Sequence, residues 1–322
     1  MKPRRLTIAF FAALLGLATT AGVVWALYTG GATSDGNELV AAADWAAPSA
    51  SASVIGKSQG GVPGYIRQGG AYMVYANLSD SGAPASGIAA VTANASAVTS
   101  GQTAAALSAG SFAIGGVSYG FRSGALTANA SLAAGAYSYT LTSKDAIGNS
   151  RTQSGFTVVV DNTAPTAADV QTANKAGGAA GKPEAGDSIT YTFSEPIDPH
   201  SILANWEGAA TSVVVRITNA TGDPLTVFNA ANTAQLPLGS VNLGRNDYAT
   251  ASATFGASGA ASTMVLSGNA ITITLGSASA GPSTASTTGT MTWTPSASAY
   301  DRAGNPAATT ARTETGTADR EF

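Results

Sequence analysis

From residue 44 onward the apolar positions come in short clusters. Val, Ile, Leu, Phe and Tyr alternate with Ser, Thr and Asn, and Gly, Asn, Asp and Pro mark the ends of each cluster. A period of two belongs to strands, and no segment past Asp44 sustains the 3.6-residue spacing of a helix. In the first half, residues 71–78 (AYMVYANL), 87–96 (GIAAVTANAS), 136–143 (AYSYTLTS) and 155–161 (GFTVVVD) read as strands. In the second, strands are predicted over 188–194, 212–218, 225–229, 263–267, 270–276 and 290–295.

The most specific local signal is TMVLSGNAITITL. Gly268 and Asn269 tolerate the positive φ of a two-residue hairpin turn. Beyond the turn, Ile271, Ile273 and Leu275 fall on one face, with Thr272 and Thr274 on the other. One face is buried and one is wet, as in the antiparallel sheets of a sandwich.

Two figures of the sequence occur twice. DWAAPSASASV (44–54) and DNTAPTAADV (161–170) share an Asp, a short gap and Ala-Pro. SKDAIGNS and AYDRAGNP each hold an Asp-x-x-Gly-Asn turn, at Asp145–Gly148–Asn149 and Asp301–Gly304–Asn305. Pro165 fixes φ and has no N–H, so it prevents the preceding ladder from simply continuing. The order of start mark, several strands and Asp-x-x-Gly-Asn turn therefore repeats, which divides the body at residues 44–161 and 162–322. In the second part, residues 230–262 read as a Gly/Ala/Asn-rich insertion.

Ahead of the body, Lys2, Arg4 and Arg5 precede an apolar run from Leu6 to Leu27. Such a segment is an export signal or an N-terminal anchor helix over residues 1–26, with cleavage expected after Ala26 and a polar spacer over 27–43. Either outcome places the body outside the cytoplasm. The absence of cysteine excludes disulfides and thiolate metal sites, and beside an export signal it points to a bacterial secreted protein. Charged residues make up only 10% and the net charge is -3, which excludes the basic surface that nucleic-acid binding needs.

Two resemblances add to this reading. AGVVWALYTGGATSDGNELVAAADW resembles the signal segments of bacterial biofilm-matrix fibre proteins. From Asp44 to Phe322 the chain resembles the immunoglobulin-like repeats of bacterial surface and secreted proteins, on the strength of DNTAPT, DAIGN, DRAGN and GDSITYTFSEPID. The fold expected is all-β: two tandem immunoglobulin-like β-sandwich domains after an N-terminal signal or anchor helix.

Candidate chemistry is sparse. His200 is the single histidine, and Ser201 or Ser194 would have to serve beside it as a nucleophile; no nucleophile-elbow pattern accompanies them. Glu195 and Asp198 read as turn formers rather than as the carboxylate pair of a glycosidase, which must face each other across a cleft. No cofactor is expected apart from calcium: Asp161 and Asn162 before Ala-Pro resemble the junction of cadherin-type repeats, which implies an ion at the domain boundary. Asp145 and Asp301 read as turn caps. Among Trp45, Trp206 and Trp293, Trp206 in LANWEG is the ring expected to be exposed for contact with a glycan, while Trp293 is expected in the core.

The expected function is that of a non-catalytic extracellular structural or adhesion protein of a bacterial surface or matrix. Its partners would be cell-surface or matrix polymers or further copies of itself, with the membrane touched only through the N-terminal segment. The alternative is a polysaccharide-binding or accessory module.

Overall fold

A computed structural model describes residues 44–322, so the expected signal or anchor segment and the polar spacer lie outside the described residues. Among the described residues no helix is long and apolar enough to cross a membrane. Nearly everything else is strand and turn, with one helical turn, α1 (Pro199–Ile202), capped by Asp198.

The first domain holds β1 (Ser49–Lys57), β2 (Tyr65–Ile66), β3 (Ala71–Ser79), β4 (Ile88–Asn94), β5 (Ala105–Ile114), β6 (Val117–Ser123), β7 (Leu126–Thr127), β8 (Gly135–Asp145) and β9 (Ser150–Val160). Hydrogen bonding runs β1-β3-β6-β5-β4-β8-β9-β2, with β7 on β3. The path folds over at β5, which pairs with β4 at Ala105 and Ala106 and with β6 from Leu107 to Ile114. Two layers result. Between them lie Ile55, Tyr72, Val74, Val91, Leu107, Tyr139, Leu141, Val158 and Val160, all buried.

The second domain holds β10 (Ala167–Ala173), β11 (Ser188–Phe193), β12 (Thr211–Ile217), β13 (Leu225–Asn229), β14 (Ser240–Asn242), β15 (Ala253–Phe255), β16 (Ser262–Ser267), β17 (Ala270–Thr274), β18 (Thr292–Thr294) and β19 (Arg312–Thr313). Its order is β10-β11-β17-β16-β12-β13-β14-β18-β19, with β15 on β12. The path curls until its ends approach: the Arg312 guanidinium donates to the Ala168 carbonyl and the Ala308 N–H to that of Pro165. Trp293 fills the centre, fully buried. Its ring meets Tyr191 and Phe193 edge-on at centroid distances of 5.2 and 4.8 Å, and its indole N–H donates to the Leu238 carbonyl.

The hairpin read from the sequence closes between Ser267 and Ala270, with Gly268 at φ 61°; Ile271, Ile273 and Leu275 are buried. The stretch read as an insertion, residues 230–262, contributes to the core. Leu236, Leu238, Val241, Leu243, Tyr248 and Phe255 are buried, and β14 and β15 pair with the main sheet, because its few large apolar residues are spaced to reach inward between the small ones.

The two domains are joined by more than a linker. Lys57, at the end of β1, is 3% exposed and forms an ion pair with Asp198, which is 0% exposed. The Lys57 ammonium also donates to the Arg302 carbonyl at 2.9 Å. Asp198 accepts the Val62 N–H from the first domain and the His200 N–H at the start of α1. Gly61, at φ 82°, lets the first domain's loop close over this carboxylate: a Cβ there would strike it. An ion pair this dry stands only when both charges are hydrogen-bonded on several sides, and here both are.

Candidate metal centre at the domain junction

Between β9 and β10 the chain passes through Asp161 to Thr166. The Asp161 N–H donates to the Ile66 carbonyl of β2, and its side chain caps the bend by accepting the Thr163 N–H. The Asp-x-x-Gly-Asn turn of the second domain comes to the same place. Asp301 accepts the Asn305 N–H through Oδ1, and Gly304 takes φ 91°, a conformation that suits glycine. Asn305 then reaches back: its side-chain amide donates to Asp301 Oδ2 and to the Asp161 carbonyl, each at 2.9 Å. The two figures that recur in the sequence therefore meet in space.

The first domain repeats the arrangement. Asp145 accepts the N–H groups of Ile147, Gly148 and Asn149, and the Asn149 amide donates to Asp145 Oδ2 and to the Asp44 carbonyl. Burial would raise the Asp145 carboxyl, but these donors outweigh it and hold it below the usual range. Asp44 is likewise lowered, chiefly by the Ala46 and Ser86 N–H groups.

At the junction a third carboxylate joins. Glu195, just after β11, comes so close to Asp161 and Asp301 that one oxygen from each lies within 4.8 Å of the other two. Among the described residues this is the one such group of three acids. Glu195 Oε1 is buried and has no hydrogen-bond partner. Burial, then the charges of Asp161 and Asp301, push the Glu195 carboxyl up to about 7. Burial and Asp161 also raise Asp301, against the bonds from Asn305. Like charges this close in a partly dry site disfavour one another, and a proton or a cation among them would relieve the repulsion.

The sequence-derived candidates distribute as follows. Asp161 is in the cluster. Asn162 turns away to bind the first domain: its carbonyl oxygen accepts the Gln68 N–H and its amide donates to the Leu132 carbonyl, both at 2.8 Å. The donors beside Asp161 are Glu195 and Asp301, which the sequence suggested only as turn formers. The two halves carry a missed signal, since in each an acid follows the strand that pairs with the opening one: Asp80 after β3 and Glu195 after β11.

Trp206, expected to be exposed, is 6% exposed and its indole N–H donates to the Ala209 carbonyl, because α1 and the loop after it fold the ring inward. Trp45 is the outward ring, at 81%. His200 pairs with Glu207 at 2.8 Å, while the Ser201 hydroxyl donates to backbone carbonyls and that of Ser194 accepts the Thr166 N–H, so neither hydroxyl is bonded to the imidazole. Glu195 and Asp198 serve different partners, the acid cluster and Lys57. No family model, curated protein or solved structure matches this chain.

Proposed function

We propose that this chain is a non-catalytic structural or adhesion protein outside a bacterial cell, which displays two β-sandwiches as one stiff unit. We infer further that calcium completes the junction between them. The convergence of Asp161, Glu195 and Asp301 on one point of the junction, with a buried Glu195 oxygen lacking any partner, is the observation that carries this reading. Calcium takes six to eight oxygen ligands and accepts flexible geometry, so three carboxylates with water in the remaining positions suit it. Magnesium demands a stricter octahedron and dehydrates reluctantly, which disfavours it in a site with a buried oxygen.

Calorimetric titration tests the reading. One calcium per chain should bind, binding should release protons near neutral pH as Glu195 ionises, and Glu195→Gln should abolish it. Absence of heat and of any thermal shift would remove the cation and leave a shared proton as what relieves the cluster. Hydrolysis of a polysaccharide or peptide that is lost on changing Glu195 or His200 would overturn the non-catalytic reading itself.

One observation favours the second reading, a polysaccharide-binding module: the exposed ring of Trp45. Exposed aromatic faces stack on sugars as they do in other amphipathic recognition sites, and retention on a glycan array that Trp45→Ala abolishes would establish it.

A further inference from the structure

From Ser81 to Phe121 the sequence contains no Asp, Glu, Lys or Arg. This run supplies all of β4 and β5 and most of β6, so one lateral side of the first sandwich is built without charge. The strand at that side is β5. After Ala106 it leaves β4 and pairs with β6 alone, and no other hydrogen bond reaches its outer edge from Leu107 to Ala113 among the described residues. Ser108, Ala109, Gly110 and Ser111 are exposed. Natural sheets blunt such edges with charges, proline or covering groups. The opposite edge of the same layer is covered in that way: at β1, both the N–H and the C=O of Ala50 are taken by the Gln153 side-chain amide, at 2.5 and 3.1 Å.

We propose that the open edge of β5 is a self-association surface, and that its occupant is the β5 edge of a second copy of this chain. Antiparallel pairing about a two-fold axis satisfies the free N–H and C=O groups of both edges, since a strand is its own backbone complement. The charge pattern selects this occupant. An uncharged edge of small side chains offers nothing to an ionic partner, whereas a second copy meets it with no like charges opposed. The nearest charge, Arg122, is held over the Phe112 ring at 4.2 Å. A one-residue bulge between Ala109 and Phe112 interrupts the edge, so the ladder is short. It buries far less than the roughly 1,200–2,000 Å² of a stable interface, and association is therefore weak and grows where copies are crowded. This rests on the structural reading above and names the surface through which such a protein would cohere.

The test is sedimentation velocity of the full chain over a wide concentration range, joined to amide hydrogen exchange. Concentration-dependent dimers are expected, with exchange slowed at residues 107–113, lost in Ala109→Lys and kept in Ala109→Thr. Both substitutions are at an exposed position, so an unchanged melting temperature serves as the folding control. Association that Ala109→Lys leaves untouched would assign it to another surface and overturn the proposal, while leaving the structural reading intact. A monomer at all concentrations would also overturn it. Catalysis or glycan capture would instead sink the structural reading, by a different measurement.

Discussion

Replacing Lys57 with Met tests the inter-domain lock. The substitution keeps the aliphatic stem and removes the ammonium, so Asp198 is left buried and charged with only the Val62 and His200 N–H groups to hold it. Removing one partner of a buried ion pair typically costs about 3–5 kcal/mol, because the surviving charge stays desolvated. The two remaining donors place the expected cost near the lower end, about 3 kcal/mol. Asp198→Asn should cost a similar amount, since it leaves the Lys57 ammonium buried without a counter-charge and its one amide oxygen cannot serve both the His200 and the Val62 N–H groups. In the double variant no charge is stranded, so it should be more stable than Lys57→Met alone. The cycle, read from urea unfolding followed by tryptophan fluorescence, should give a coupling energy of roughly 2 kcal/mol, well above the 0.5 kcal/mol typical of independent sites. A Lys57→Met protein within about 0.5 kcal/mol of wild type, or a coupling no larger than that, would refute the argument that this pair holds the domains together.

A second expectation concerns pH. Glu321 is fully buried and one of its oxygens has no hydrogen-bond partner; burial, against the Thr172 hydroxyl and with the charges of Glu314 and Asp319, pushes its carboxyl up to about 8. The folded state therefore holds a proton that the unfolded chain releases near its ordinary 4.5. The resulting stabilisation is complete below about pH 4.5 and is lost as pH rises through about 8. Melting temperature should fall over that window, and Glu321→Gln should flatten the fall; an equal slope in both proteins would contradict it.

Most of the fold was legible because large apolar residues alternate over much of the chain. β13 and the β16–β17 hairpin follow directly from that period and from Gly268-Asn269. Among the longer strands, β1, β5, β6 and β10 were not read from the sequence, for a physical reason: their Ala, Ser, Gly and polar positions carry little hydrophobic contrast, and long-range pairing rather than local preference makes them strands. Trp206 misled for a related reason, since turn residues around it spoke of the surface while tertiary packing buried the ring. At the junction, Asp161 was legible from the repeated boundary figure. Glu195 and Asp301 were not, because residues 34 and 140 positions away from Asp161 meet it only through the closing of the second sheet.

Scanning calorimetry of the chain tests the central claim, that the two sandwiches behave as one unit joined across Lys57–Asp198 and the acid cluster. One cooperative transition is expected, with calorimetric and van't Hoff enthalpies that agree, and it should move to higher temperature in calcium and lower in chelator. Two separate transitions that neither calcium nor Lys57→Met alters would show the domains to be independent beads and would contradict it.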